Sequence, residues 1–205
     1  MNNFSNFFEV QDVFARLFVL AIQNDFHPNA FTYMLERSEF VNYIENGKTN
    51  ELFDLKIETL FETITSYKIE TDTSFGIYND AYWCGYSYFV IFVRSKKPFS
   101  YIFLKLPFSD LLSLYPVYHE MDISSLLEYF QDLAKKKTII RSLVESNKTS
   151  LNKLAKELDI SVNTLVKYNI DDKYLYRGSF QTLSKLVNIF NLPYSLFIEE
   201  TQANL

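Results

Sequence analysis

One stretch, Thr149 to Tyr168 (TSLNKLAKELDISVNTLVKY), constrains the fold of this chain more than any other. Leu151, Leu154, Ala155 and Leu158 recur at i, i+3, i+4 and i+7, the spacing that draws one apolar stripe along a helix. Thr149 or Ser150 stands just ahead of that stripe, where a hydroxyl can accept from the first free amides. Asp159 follows it, at a point where the chain must turn sharply, and Asp tolerates left-handed φ. Ile160 is then placed to plug the corner. Ser161 can cap a second helix that turns Leu165 and Tyr168 inward and Val162, Asn163 and Lys167 outward. A short helix held by another across a tight turn has an outer face free to enter a major groove.

From about Lys137 to Phe197 the chain resembles the Xre/Cro-type helix-turn-helix family of phage and bacterial repressors. That family has an alanine four residues before a turn glycine and an aliphatic residue six after it. Ala155, Asp159 and Leu165 occupy those places, so Asp159 replaces the glycine. Tyr168 holds the expected aromatic position, while Asn169 stands where an acidic residue often follows. Ser179-Phe180 then opens a periodic helix (Phe180, Leu183, Leu186, Val187, Phe190), and Pro193 opens a last short one. The resemblance implies a five-helix, lambda-repressor-like domain over residues 135–205. Val162, Asn163 and Lys167 are then expected at base edges. Thr149, Ser150, Lys153, Ser161, Lys173 and Arg177 are expected at phosphates. A helical hairpin buried in an ordinary core would share the local pattern.

Charge favours the DNA reading. Lys135 to Leu205 holds 11 Lys+Arg and 7 Asp+Glu, a net of +4. Met1 to Ala134 holds 9 and 18, a net of −9, and the two sum to the whole-chain −5. A basic module attached to an acidic one is the footprint of a nucleic-acid reader joined to something else. Lys148, Lys153, Lys167, Lys173 and Arg177 are the basic residues best placed for phosphate. Cutting near Lys135 should therefore separate a basic fragment from an acidic one.

In residues 1–134 the signal is aromatic: 29 of the 36 Phe, Tyr and Trp lie there. Phe7 to Asn24 reads as a helix covered on most sides, with Val10, Val13, Phe14, Leu17, Phe18 and Ala21 on one face and Val19, Leu20 and Ile22 on the other. His27-Pro28 breaks it. Ala30 to Asn46 reads as one or two shorter helices ending at Gly47. Glu51 to Tyr67 reads as an amphipathic helix, Thr71 to Asn79 as a loop, and Asp122 to Ala134 as a closing amphipathic helix. Lys135, Lys136 and Lys137 read as a short basic junction.

Residues 86–106 are ambiguous. YSYFVIFV and SYIFLKL favour strands by residue type, so a small β-hairpin is open. Two buried helices are equally open, because periodicity is silent when both faces are apolar. The spacing of AYWCGYSY, PFSYIF and LLSLYPVYHEMDISSLLEYF is similar to an uncharacterised helical domain of Firmicutes. That domain is often fused to this kind of helix-turn-helix in toxin-antitoxin-like or mobile-element loci. The resemblance covers roughly residues 30–133 and implies a mainly α N-terminal domain.

Catalytic chemistry is not expected. Two His and one Cys do not make a recognisable zinc motif, which takes four ligands, or three plus water, at set spacings. Cys84 with His119 lacks an orienting third group. His119, Glu120 and Asp122 (HEMD) fit a turn and helix cap better than a metal-dependent nuclease. With 4 Gly in the chain there is no glycine-rich phosphate loop. No metal or cofactor is expected. The single Cys fits a reducing cytoplasm, and the longest apolar run, Phe89 to Val93, is too short to span a bilayer. MNNFSNFFEVQD is acidic and lacks the basic-then-apolar pattern of a secretory leader, so none is expected.

The expectation is a mainly α, cytoplasmic, sequence-specific DNA-binding repressor or autoregulator. Its partners are a double-stranded operator and a second copy of itself. The alternative is a protein inhibitor (an antitoxin, or an anti-CRISPR or other anti-defence protein) that binds a protein of the same locus through residues 1–134. In that case the helix-turn-helix regulates its own operon.

Overall fold

The computed structural model describes residues 7–48, 56–69, 78–194 and 196–197. These residues form thirteen α-helices and no strand. In order they are α1 (Phe7–Gln23), α2 (Pro28–Leu35), α3 (Glu39–Glu45), α4 (Ile57–Thr65), α5 (Asn79–Ser95), α6 (Phe99–Lys105) and α7 (Phe108–Tyr118). Then follow α8 (Ile123–Lys136), α9 (Ile139–Ser146), α10 (Leu151–Leu158), α11 (Val162–Ile170), α12 (Asp172–Tyr176) and α13 (Phe180–Phe190). None of the described helices is long and apolar enough to cross a membrane.

The hairpin considered for residues 86–106 is not formed; α5 and α6 take its place. Along α5, Ala81, Cys84, Gly85 and the whole run Ser87 to Ile91 are buried, so over that run both faces are covered and the sequence has no amphipathic period to display. Of the amphipathic helix expected over Glu51 to Tyr67, α4 carries the C-terminal part; residues 51–55 lie outside the described residues. Most of the loop expected over Thr71 to Asn79 also lies outside them, and Asn79 already begins α5. Lys135 and Lys136 form the last turn of α8 and continue that helix instead of linking two.

The chain divides into two compact units, Met1–Phe103 with Pro107–Leu127, and Leu104–Leu106 with Glu128–Leu205. In the first, α1 and α5 pack against each other, with α2, α4 and α7 around them. Aromatic rings fill the interior. Phe14 meets Phe18, Phe40, Phe89 and Phe99 at centroid distances of 4.6–6.2 Å. At Gly85 α1 and α5 approach closely: a Cβ there would lie 2.6 Å from the Ala15 Cα and 2.8 Å from Phe18 Cδ2. In an open helix, Gly→Ala stabilises by roughly 0.5–1 kcal/mol. Here backbone stands in the way, so Gly85→Ala is expected to destabilise by about 1–3 kcal/mol. A urea midpoint equal to or above that of the wild type would show that the two helices can separate without loss.

The second unit is built from short helices whose ends are settled locally. Ser150, Ser161 and Ser179 accept from the amides of Lys153, Thr164 and Thr182. α11 packs against α9, α10 and α12, and α10 also touches α13. Lys105 is fully buried. Its ammonium donates to the Lys137 carbonyl and, at 2.7 Å, to Asp172 Oδ2. The other oxygen of Asp172 accepts the Ile139 amide at 2.6 Å, at the first turn of α9. A fragment beginning at Lys135 therefore loses a residue that this unit contains.

Candidate nucleic-acid interface

Two short helices and the turn between them build the candidate surface. α10 ends at Asp159, whose φ of 59° and ψ of 45° are left-handed. Its amide and that of Ile160 close back onto the last turn, Ile160 bonding to the Ala155 carbonyl at 3.1 Å. Asp thus does without glycine at this position, at the modest steric cost an Asp tolerates. Lys185 of α13 adds a brace, donating to the Leu158 carbonyl at 3.1 Å with Asp159 Oδ2 at 3.6 Å. That brace spans 27 positions in sequence, so no local pattern announces it.

Ser161 then caps α11, also meeting the Thr164 hydroxyl at 2.8 Å. Leu165 is fully buried and Tyr168 is 9% exposed, so these two fix the rotation of the helix about its axis. Val162, Asn163 and Lys167 consequently face solvent. Val166 and Ile170 share that outer face and were not singled out by sequence; their i+4 and i+8 spacing from Val162 was the available signal. Lys167 makes no ion pair among the described residues.

The expected phosphate contacts are not equivalent. Thr149 is half-buried, its amide bound to the Val144 carbonyl at 3.1 Å. Ser150 and Ser161 spend an oxygen on their own helices, but the first amides of α10 and α11 beside them lack intrahelical acceptors, as at any helix start. Lys148 is exposed at a left-handed φ of 47°. Lys153 is exposed, with Glu157 at 3.9 Å. Lys173 differs most from expectation. It pairs with Asp171 at 2.8 Å, which raises the lysine and lowers the carboxyl from their ordinary values, and it lies over the Tyr174 ring. Arg177 is exposed at the end of α12. Phe180, placed in an inward stripe by its spacing, is instead 78% exposed, while Thr182, Leu186 and Val187 are the residues that α13 buries.

The two catalytic candidates stand in different surroundings. Cys84 is fully buried, and burial pushes its thiol well above the ordinary range, away from the thiolate a nucleophile needs. His119 is exposed at the end of α7, stacked on Tyr115 with its ring nitrogen 2.7 Å from the Tyr115 carbonyl. Glu120 lies 3.7 Å from His119, and Asp122 accepts the Ser124 amide at the start of α8. Among the described residues no group of three or more His, Cys, Asp or Glu could hold a metal ion.

Comparison with protein-family models, with curated proteins and with solved structures finds no match for the chain.

Proposed function

We propose that the chain is a sequence-specific DNA-binding regulator whose C-terminal unit inserts α11 into the major groove as the second helix of a helix-turn-helix. The observation that carries this reading is the outer face of α11. A nine-residue helix, fixed in rotation by Leu165 and Tyr168, presents Val162, Asn163, Val166, Lys167 and Ile170 together. The net +4 of Lys135 to Leu205 supports it. A single module of this kind has a small footprint, so the reading includes a dimer on half-sites about one helical turn, ~34–36 Å, apart.

The test uses the full chain and duplex DNA from upstream of its own reading frame. Asn163→Ala and Lys167→Ala should each weaken specific binding by about 1–3 kcal/mol, with unchanged melting. Affinity should fall steeply with salt as neutralised phosphates release counterion. Wild-type affinity in both variants would remove α11 from the interface.

A second reading is favoured by one feature of the first unit. Tyr78, Tyr82 and Tyr86, at 37–38% exposure, stand at i, i+4 and i+8 along α5 and its cap. Exposed tyrosines on an acidic domain suit a protein partner. On this reading the chain is an antitoxin or an anti-defence inhibitor, and α11 serves only autoregulation. Asn163→Ala with Lys167→Ala would then leave inhibition in cells intact while abolishing repression.

A further inference from the structure

The outer face of α11 is unusually apolar for a solvated helix face. Val162, Val166 and Ile170 are 41%, 39% and 68% exposed. At about 100° per residue the five outward side chains fan over about 140° of the helix, with Asn163 and Ile170 near its middle. Leu165 and Tyr168 hold the opposite side, so none of the five can rotate inward. Single exposed aliphatic residues need no explanation. Three β-branched ones sharing a stripe with an amide and an exposed lysine call for a ligand with a matching mixture of groups.

The major groove offers such a mixture. Its one apolar base-edge group is the thymine C5-methyl, and a branched aliphatic side chain, which cannot hydrogen-bond, gains from no other edge. A carboxamide makes its bidentate bond to the N6 and N7 of adenine. Resting on the DNA reading above, the geometry points to an A·T-containing half-site in which Val162 and Val166 pack on thymine methyls and Asn163 reads the adenine edge. Val162 and Asn163 are the first two residues of α11, and in this docking mode the N-terminal residues of the second helix reach the bases. Val162 and Val166 lie one turn apart, about 6 Å along the axis. With bases about 3.4 Å apart along a strand, the two thymines should be about two steps apart. Ile170, at the far end of the helix, stays at the edge of the groove.

The experiment selects bound duplexes from a random pool with the full chain. It then replaces each thymine of the selected site in turn by deoxyuracil, which removes only the methyl. Two positions about two steps apart should each weaken binding about 3–5-fold, the effect of uncovering one methyl group. Val162→Ala and Val166→Ala should each abolish the sensitivity at one of them, and both side chains are exposed enough for the variants to keep their melting temperature. Binding indifferent to deoxyuracil everywhere, or equally sensitive in both variants, overturns the thymine assignment and leaves DNA binding standing. Failure to enrich any sequence overturns both. A protein whose capture is lost in Val166→Ala, with no sequence enriched, would give the stripe to a protein partner instead.

Discussion

Lys105→Met is expected to destabilise the C-terminal unit by about 3–5 kcal/mol, the range for removing one member of a buried ion pair. The ammonium is fully buried and bridges two acceptors, the Lys137 carbonyl and Asp172. Methionine preserves most of the stem's packing, so the loss falls on the polar contacts. Asp172, with 14% of its side chain exposed, would keep the Ile139 amide as the remaining donor to its charge among the described residues. The Lys137 carbonyl, just before the Thr138 cap of α9, would lose its ammonium donor as well. Adding Asp172→Asn should recover a large part of the loss, because it removes the uncompensated charge while keeping an oxygen for the Ile139 amide. Urea unfolding of the wild type, the two single variants and the double variant gives the coupling directly. A Lys105→Met loss under about 1 kcal/mol would mean that water reaches Asp172 and the pair is not a buried one.

Phe18→Ala should cost the N-terminal unit a similar amount, about 3–5 kcal/mol. Phe18 is fully buried and its ring meets five others: Phe14, Phe31, Tyr88, Phe103 and Phe108, at centroid distances of 4.8–6.5 Å. Alanine removes the hub and leaves a cavity that five rigid rings on separate helices cannot close. Phe180→Ala is the control. The same deletion at a side chain 78% exposed should change stability by no more than about 0.5 kcal/mol. Thermal melting of both variants, followed by near-ultraviolet circular dichroism for the aromatic packing, separates the two cases. Equal losses would mean that Phe180 is covered in solution, by a second copy or another partner.

The sequence by itself determined the elements whose bonds close within one turn. Ser150, Ser161 and Ser179 cap helices because each hydroxyl reaches an amide three residues ahead, a distance that no other part of the chain alters. Asp159 takes its left-handed turn and Gly47 a φ of 68° for equally local reasons. The outward placement of Val162, Asn163 and Lys167 followed from the same periodicity once Leu165 and Tyr168 were assigned inward. Only the tertiary structure decided whether residues 86–106 are helix or hairpin. With both faces of α5 buried from Ser87 to Ile91, the apolar pattern there lost the period that tells 3.6 from 2. It also decided which phenylalanines are core, since Phe18 and Phe180 both sit at helical spacing and differ only in what packs over them. The Lys105–Asp172 pair and the Lys185 brace join positions 67 and 27 residues apart. Such contacts depend on how whole helices pack, and nothing in the neighbouring residues encodes them.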